Sequence, residues 1–384
     1  MSQFWNQTTK NLIPYVAGEQ PKEGQKIIKL NTNENPYPPA PGIKDFLQNY
    51  DPAMLRKYPD PASCELRKEI ASFYQVHEDQ VFCGNGSDEV LAIAFQAFFE
   101  TGKLAKPISF CDITYSFYPV YAQLYDIPTH IIPLADDFTV DVSAFLKPSG
   151  GVVLANPNAP TGIALSVSQI ERILESHPDR LVLIDEAYGA FGKESMIPLI
   201  EKYPNLLVTG TVSKAFSLAG LRIGYAIGSQ PLIEGLCKVR DSFNSYPVDS
   251  LALKIAAIAF KDRNWFEINR EKIVKTREYV CSELEKIGFR VLPSQANFIF
   301  VQVHCQSVQA NNSVKSGFEV EGISSEMFTS ERKPDARTLY QILKKKGILV
   351  RYFDKHRIND YLRISIGSDD EMDTLIAEIR NIYV

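Results

Sequence analysis

A chain of 384 residues with 45% apolar and 23% charged residues is composed like a soluble globular protein, long enough for two domains or one large one. Its net charge of −5 argues against a dedicated nucleic-acid binder, and the dense basic run Lys344-Lys345-Lys346 reads as a solvated helix end. No apolar run of about 18 residues marks a membrane span. The polar start lacks a signal-peptide core, and the scattered cysteines form no CxxC pair, which argues against zinc and fits the reduced thiols of a cytosolic protein.

Residues 1–44 are rich in Pro, Asn and Gly. Pro36, Pro38, Pro39 and Pro41 forbid a regular helix over 31–41, because each removes a donor and crowds the preceding turn. That segment reads as an extended strap laid over something else. From about 45 to 260, apolar runs alternate with helical patterns. Residues 65–74 read as a helix, 81–83 as a short strand, and 88–99 as a helix apolar on most faces and therefore buried. The runs 108–111, 152–155, 181–184, 206–208 and 223–227 are continuous and short, which suits strands covered on both faces. Such alternation predicts an α/β domain with a largely parallel sheet over 45–263.

A long helix predicted over 264–287 leads out of that domain. Residues 298–303 (strand), 337–346 (helix), 348–352 (strand), 361–366 (strand) and 371–382 (helix) form an α+β set. The arm 1–44 and the region 264–384 are therefore read as a second, smaller domain. Within it, 306–334 is a polar insertion with no period.

The residue types that carry chemistry gather at the ends of these predicted strands, where open α/β sheets place their sites. Lys214, in Thr211-Val212-Ser213-Lys214-Ala215, sits in a Ser/Ala/Gly-rich turn after an apolar strand. An uncharged lysine amine can form a Schiff base with an aldehyde cofactor, although most lysines are solvated surface groups. Arg222 enters another apolar run and needs an anionic partner there, for which a phosphate dianion is well suited. Asp185 ends the run 181–184. It can face a pyridinium nitrogen, and it equally fits a helix N-cap. Tyr188 can bond a phenolic oxygen or be a packed tyrosine.

Gly84-Asn85-Gly86-Ser87-Asp88-Glu89 follows a strand and opens a helix. Free amides there make an anion site, or Ser87 and Asp88 simply cap the helix. The spacing is not GxGxxG, so a dinucleotide fold has no support. Tyr115, after the run 108–111, can stack on a flat ring or belong to the core. Asn156 and Asn158, in Asn156-Pro157-Asn158-Ala159-Pro160-Thr161-Gly162, can donate to a phenolate oxygen or serve as turn residues. Arg351 and Arg363 lie at the end of one apolar strand and inside another. Each calls for a bidentate anion, either a substrate carboxylate or a structural salt bridge.

Taken together these segments resemble the fold type I pyridoxal-phosphate aminotransferases, and among them the histidinol-phosphate aminotransferase subgroup. The resemblance runs from about residue 28 to 382. It is carried by Asn33-Glu34-Asn35-Pro36-Tyr37, Arg56-Lys57-Tyr58-Pro59-Asp60, the 84–89 loop, the 114–119 segment, Asp185 to Tyr188, the Lys214 segment, Ala296-Asn297-Phe298, 347–351 and 362–367. It implies a large domain with a mostly parallel seven-stranded sheet covered by helices, plus a smaller α+β domain. It implies a cytoplasmic homodimer that works on small amino acids and 2-oxo acids by ping-pong chemistry.

The resemblance also implies roles. Lys214 holds the cofactor and moves the proton, Asp185 pairs with the ring nitrogen, Tyr188 with the phenolic oxygen, and Tyr115 stacks on the ring. Ser87, Asp88, Thr211, Ser213 and Arg222 bind the cofactor phosphate, and Tyr58 reaches the phosphate in the neighbouring subunit. Arg363 takes a carboxylate, and Arg351 a substrate phosphate, with Tyr15 and Asn33 as helpers. No metal is implied. One departure stands out. Many relatives carry asparagine directly before Pro-Thr-Gly, where this chain has Ala159. Either Asn158 takes over that contact or Tyr188 makes it alone. Two rivals within the fold stay open, an aromatic amino acid aminotransferase and a threonine-phosphate decarboxylase. A cofactor-sensing transcription regulator would need a helix-turn-helix module, which the Pro-rich, non-basic stretch before the match does not offer.

Overall fold

The structure, a computed structural model, describes residues 2–14, 18–20, 27–303 and 333–383. Tyr15 and residues 306–332 of the polar insertion lie outside the described residues.

The short apolar runs form the expected strands. They are β2 (Val81–Gly84), β3 (Ile108–Cys111), β5 (Val152–Ala155), β6 (Val182–Asp185), β7 (Leu206–Thr211) and β8 (Gly224–Gly228), with β1 (Ile28–Lys29) preceding them in the chain. A strand that sequence patterning missed, β4 (Thr129–Ile132), completes a seven-stranded sheet in the order β2-β8-β7-β6-β5-β3-β4. It was missed because it is the edge. Its first three residues are exposed, so no continuous apolar run marks it. β3 to β7 run parallel, and only β8 is antiparallel, to both β2 and β7.

The alternation of side chains explains why these runs are apolar throughout. Val152 and Leu154, Val182 and Ile184, and Leu206 and Val208 belong to one buried core. Val153, Leu183 and Leu207, between them, belong to a second core on the opposite face. Helices cover both faces, among them Cys64–Tyr74 against the first and Gly86–Phe98 against the second.

The long helix Arg263–Ile287 starts under an Asp262 cap, whose carboxylate accepts from the Trp265 amide at 3.0 Å. It ends at Gly288, where φ is 102°, as a left-handed C-cap requires. Beyond it, β9 (Arg290–Val291), β10 (Phe298–Gln302), β12 (Arg351–Tyr352) and β13 (Tyr361–Ser365) form an antiparallel sheet in the order β12-β13-β10-β9. The single strand expected over 348–352 is two. β11 (Ile348–Leu349) pairs in parallel with β1, and the chain passes to the other sheet after Val350. The basic run does end a solvated helix, Ala336–Lys345, with Lys344 and Lys346 each 2.6 Å from a glutamate.

The proline-rich strap is irregular, as its prolines demand, and it ties the two sheets together. Asn33 donates its backbone N–H to Ser365 at 2.8 Å, and the Asn35 side chain donates to the carbonyls of Lys214 and Ala215 at 3.1 and 3.3 Å. Among the described residues, no helix is long and apolar enough to cross a membrane.

Candidate active site

A cavity of about 1100 Å³ opens beyond the carboxyl ends of β3, β5, β6 and β7. Its floor carries Asp185, Tyr188, Thr211, Ser213 and Lys214. Its walls carry Ser87, Asp88, Tyr115 and Arg222, and its rim Thr32, Asn33, Arg351 and Arg363.

Asp185 is the last residue of β6 and is 4% exposed. Tyr118 donates to one of its oxygens at 2.9 Å, and the Ala187 amide and Thr209 hydroxyl donate to the other at 3.1 and 3.3 Å. The amide contact is what an N-cap would make, yet no helix starts there. The next helical turn, Gly189–Phe191, is preceded by Tyr188. Burial is the largest influence on this carboxyl and pushes it up to about 6, against the hydrogen bonds that favour the ionised form. Its three donors are all neutral, so a cation arriving at this acid would gain a buried countercharge. The neighbouring Glu186, pushed up by burial to about 7, is used differently. It accepts from the Ser195 hydroxyl and the Met196 amide, both at 2.6 Å, and so ties down the following loop.

Lys214 follows β7, and its Nζ donates to the carbonyl of Thr32 at 3.1 Å. That amine also lies 5.9 Å from the centre of the Tyr188 ring. The Tyr188 ring packs edge-on to Phe298. Its hydroxyl oxygen accepts from the Asn33 amide at 2.9 Å, which leaves the hydroxyl hydrogen to be donated elsewhere.

The loop at Gly86 and the strand entry at Gly224 make a cup. A Cβ on Gly86 would lie 2.6 Å from Arg222 Nη2, and one on Gly224 would lie 2.3 Å from the backbone of Gly86 and Ser87. Glycine is therefore required where the arginine and the helix start come together, and Gly86 has φ 82° besides. Arg222 pairs with Asp88 at 3.4 Å, and Tyr115 donates to the same carboxylate at 2.7 Å. Burial, with Asp88 beside it, holds the Tyr115 hydroxyl protonated. Thr211 donates to Ser213 at 2.9 Å at the cup's floor. Helix-start amides, two hydroxyls and a guanidinium, the last paired with the Asp88 carboxylate, are the donors an anion would need here.

On the rim, Arg363 donates to the carbonyl of Asn31 at 2.9 Å and lies 5.4 and 5.8 Å from the rings of Phe298 and Phe353. Arg351 lies 5.6 Å from the Phe353 ring. Both arginines line the same cavity, half-buried.

One expectation changes. Asn158 does not line the cavity; Ala159 does. Both Asn158 amide hydrogens are committed, to the Ile113 carbonyl at 2.9 Å and Thr161 at 3.2 Å, and its oxygen accepts from Thr114 at 2.8 Å. Asn158 is thus a loop brace and leaves no donor for a ligand. Asn33, expected as a substrate contact, lines the cavity but is 1% exposed; its side chain donates to Tyr188 and accepts from Ser365. Tyr58, expected to serve the neighbouring subunit, accordingly does not line this chain's cavity; it is 83% exposed and stacks on Tyr246 with ring centres 4.8 Å apart. Sequence reasoning also passed over Tyr118, which holds Asp185. Its place three residues after Tyr115, at the start of the helix Phe117–Leu124 that follows β3, was the available signal.

The donor set fits pyridoxal phosphate. A buried acid without a cation can receive the ring nitrogen, a lysine amine faces the same space, and the glycine cup can receive the phosphate.

Known proteins can be set beside this geometry. The family model described as Aminotransferase class I and II matches residues 25–379. A histidinol-phosphate aminotransferase from Chromohalobacter salexigens is 48% identical over 379 residues, 99% of each chain. Another from Clostridium acetobutylicum is 47% identical over 380 residues, again 99% of each. The crystal structure of histidinol-phosphate aminotransferase from Sinorhizobium meliloti in complex with pyridoxal-5'-phosphate is similar at a TM-score of 0.81. It is 22% identical, with 100% of this chain and 98% of that one covered, a likeness of fold.

Proposed function

The chain belongs to the class I and II aminotransferases, and from that premise we propose that it interconverts histidinol phosphate plus 2-oxoglutarate with imidazole-acetol phosphate plus glutamate, in histidine biosynthesis. The observation that carries this reading is one cavity holding a lysine amine, a buried acid, an anion cup and two rim arginines. Relatives of that name at 47–48% identity over 99% of the chain favour it over the aromatic and decarboxylase rivals.

Bound in this cavity, pyridoxal phosphate supplies an aldehyde for the substrate amine and a ring that takes up the electron pair of the broken Cα–H bond. The remaining steps belong to the protein. Lys214, which would anchor the cofactor aldehyde, would accept the α-proton at Nζ and return it. Asp185 stays ionised against the ring nitrogen's proton. Tyr188 gives its hydroxyl hydrogen to the phenolic oxygen, aimed by the Asn33 amide behind it. With Asn158 committed elsewhere, Tyr188 makes that contact alone. Ser87 and Asp88 amides, Thr211, Ser213 and Arg222 would hold the phosphate, and Tyr115 would cover the ring. Arg351 takes the phosphate of histidinol phosphate, and Arg363 takes the carboxylate of glutamate, so one rim serves both half-reactions.

We further propose a cytoplasmic homodimer. Met54, Leu55 and Tyr58 on one segment and Phe243 and Tyr246 on another are exposed, and the Tyr58–Tyr246 stack joins the two segments, an apolar surface suited to a second copy of the chain. On this reading Tyr58 reaches the partner's cofactor phosphate, 45–263 is the cofactor-binding domain, and 1–44 with 264–384 is the arm and small domain. Borohydride reduction of the loaded enzyme followed by peptide mapping tests the assignment. The phosphopyridoxyl group is expected on the peptide containing Lys214; label on another lysine contradicts it.

A further inference from the structure

The loop 353–358, between β12 and β13, forms one wall of the cavity and carries Lys355, His356 and Arg357. By charge alone Arg357 would count as a third anion receiver beside Arg351 and Arg363. Its geometry assigns it otherwise. Nη1 donates to Asp112 at 3.2 Å, and Nη2 donates to the carbonyls of Leu134 and Ala135 at 2.9 and 2.7 Å. The guanidinium also lies 5.5 Å from the centre of the Phe138 ring. All four partners follow β3 or β4 of the large sheet, whereas Arg357 lies between β12 and β13 of the small one. The charge is matched, and both terminal nitrogens are engaged. The side chains of Arg357 and Asp112 are only 25% and 28% exposed, which limits screening of the pair. The backbone agrees: Arg357 has φ 70°, a left-handed conformation that a side chain of this size holds only when its surroundings impose it.

Asp112 passes the contact on. Its other oxygen accepts from the amides of Ile113 and Leu134 at 2.8 and 2.9 Å. The next residues are braced in turn, Ile113 and Thr114 by Asn158 and Tyr115 by Asp88, which meets Arg222. A continuous set of contacts therefore runs from the loop beside the rim arginines, through 112–115, to the anion cup.

We propose that Arg357 is a positioning residue that clasps the rim to the 112–115 segment and so fixes Tyr115 at the ring side of the cavity. The proposal rests on the functional reading only in taking Tyr115 to face the cofactor ring.

The test uses R357A, R357K, D112N and the double variant R357A/D112N in the full chain. Amide hydrogen exchange is followed at 112–115 in the cofactor-free protein, and kcat/KM is measured for glutamate and for histidinol phosphate. R357A and D112N should each speed exchange at 112–115 about tenfold and lower kcat/KM for both amino donors by a similar factor. The double variant should be no worse than either single one, and R357K should recover part of both effects. If R357A fails to fold, R357K and D112N carry the same comparison. A rise in KM for histidinol phosphate alone, with exchange at 112–115 unchanged, would make Arg357 an anion receiver and overturn the clasp. So would effects that multiply in the double variant. If wild type transfers no amino group from either donor, the functional reading fails while the exchange data still decide the clasp.

Discussion

Asp185 and Lys214 stand at the carboxyl ends of β6 and β7, neighbouring parallel strands buried on both faces. Arg351 and Arg363 reach the same cavity from an antiparallel sheet, and the strap that meets them comes from the other end of the chain. The Asn33–Ser365 contact alone spans 332 residues. The floor is thus placed by strands whose position the whole core dictates, and the rim by docking of remote segments. The difference teaches which losses should be chemical and which should be losses of fit. Floor substitutions should lower kcat with binding retained, and rim substitutions should raise KM.

The largest effect should follow Lys214→Ala, which on the proposed function removes both the covalent anchor and the proton carrier. Turnover should fall more than about 10⁴-fold, and only trace product is expected in a long assay. A variant retaining a tenth of wild-type turnover would break the floor side of the comparison.

Asp185→Asn should lower kcat about 10²- to 10³-fold, because on the proposed function it removes the negative charge paired with the ring nitrogen. In the cofactor-free protein the same change should stabilise. The folded carboxyl titrates near 6 rather than at its ordinary 3.8, so between those values the native state binds more protons than the unfolded chain. Stability therefore falls as pH rises through that window, and the full cost, at most about 3 kcal/mol, is present above it. Melting curves should show Asp185→Asn gaining on wild type at about pH 8 and not at about pH 4. An equal gain at both would show that the carboxyl is not held up by burial.

Rim changes should act more selectively. Arg351→Ala should raise KM for histidinol phosphate about 10- to 100-fold, and Arg363→Ala should do the same for glutamate, with kcat changed far less. Steady-state kinetics with each donor separate the two; a kcat loss as large as that of Asp185→Asn would erase the distinction between rim and floor. The smallest effect should come from Tyr118→Phe, which removes one hydrogen bond to Asp185 and leaves two others. A fall in kcat of about tenfold is expected, with KM nearly constant, read from the same kinetics.

Legibility followed the same division. Strands such as β5 and β6 were readable because a strand buried on both faces must be apolar throughout, and the acid that breaks the run then stands out at its end. β4 was not readable, because an exposed edge has no such pattern. The substrate side was readable only as arginines in improbable places. Nothing local to Arg357 tells that its charge is met by Asp112, since that depends on where β3 ends. Asn158 shows the converse. Its neighbours suggested an amide for the cofactor, and only the packed loop reveals that Ile113 and Thr161 take both of its amide hydrogens while its oxygen accepts from Thr114.

The claim that one cavity serves both a phosphate-bearing amine and glutamate is tested most directly by comparing amino donors. Purified enzyme loaded with pyridoxal phosphate should transfer the amino group of histidinol phosphate to 2-oxoglutarate with a kcat/KM at least about 100-fold above that for phenylalanine or tyrosine at equal concentration. Equal or faster turnover of the aromatic amino acids, or carbon dioxide released from threonine phosphate, would contradict the account.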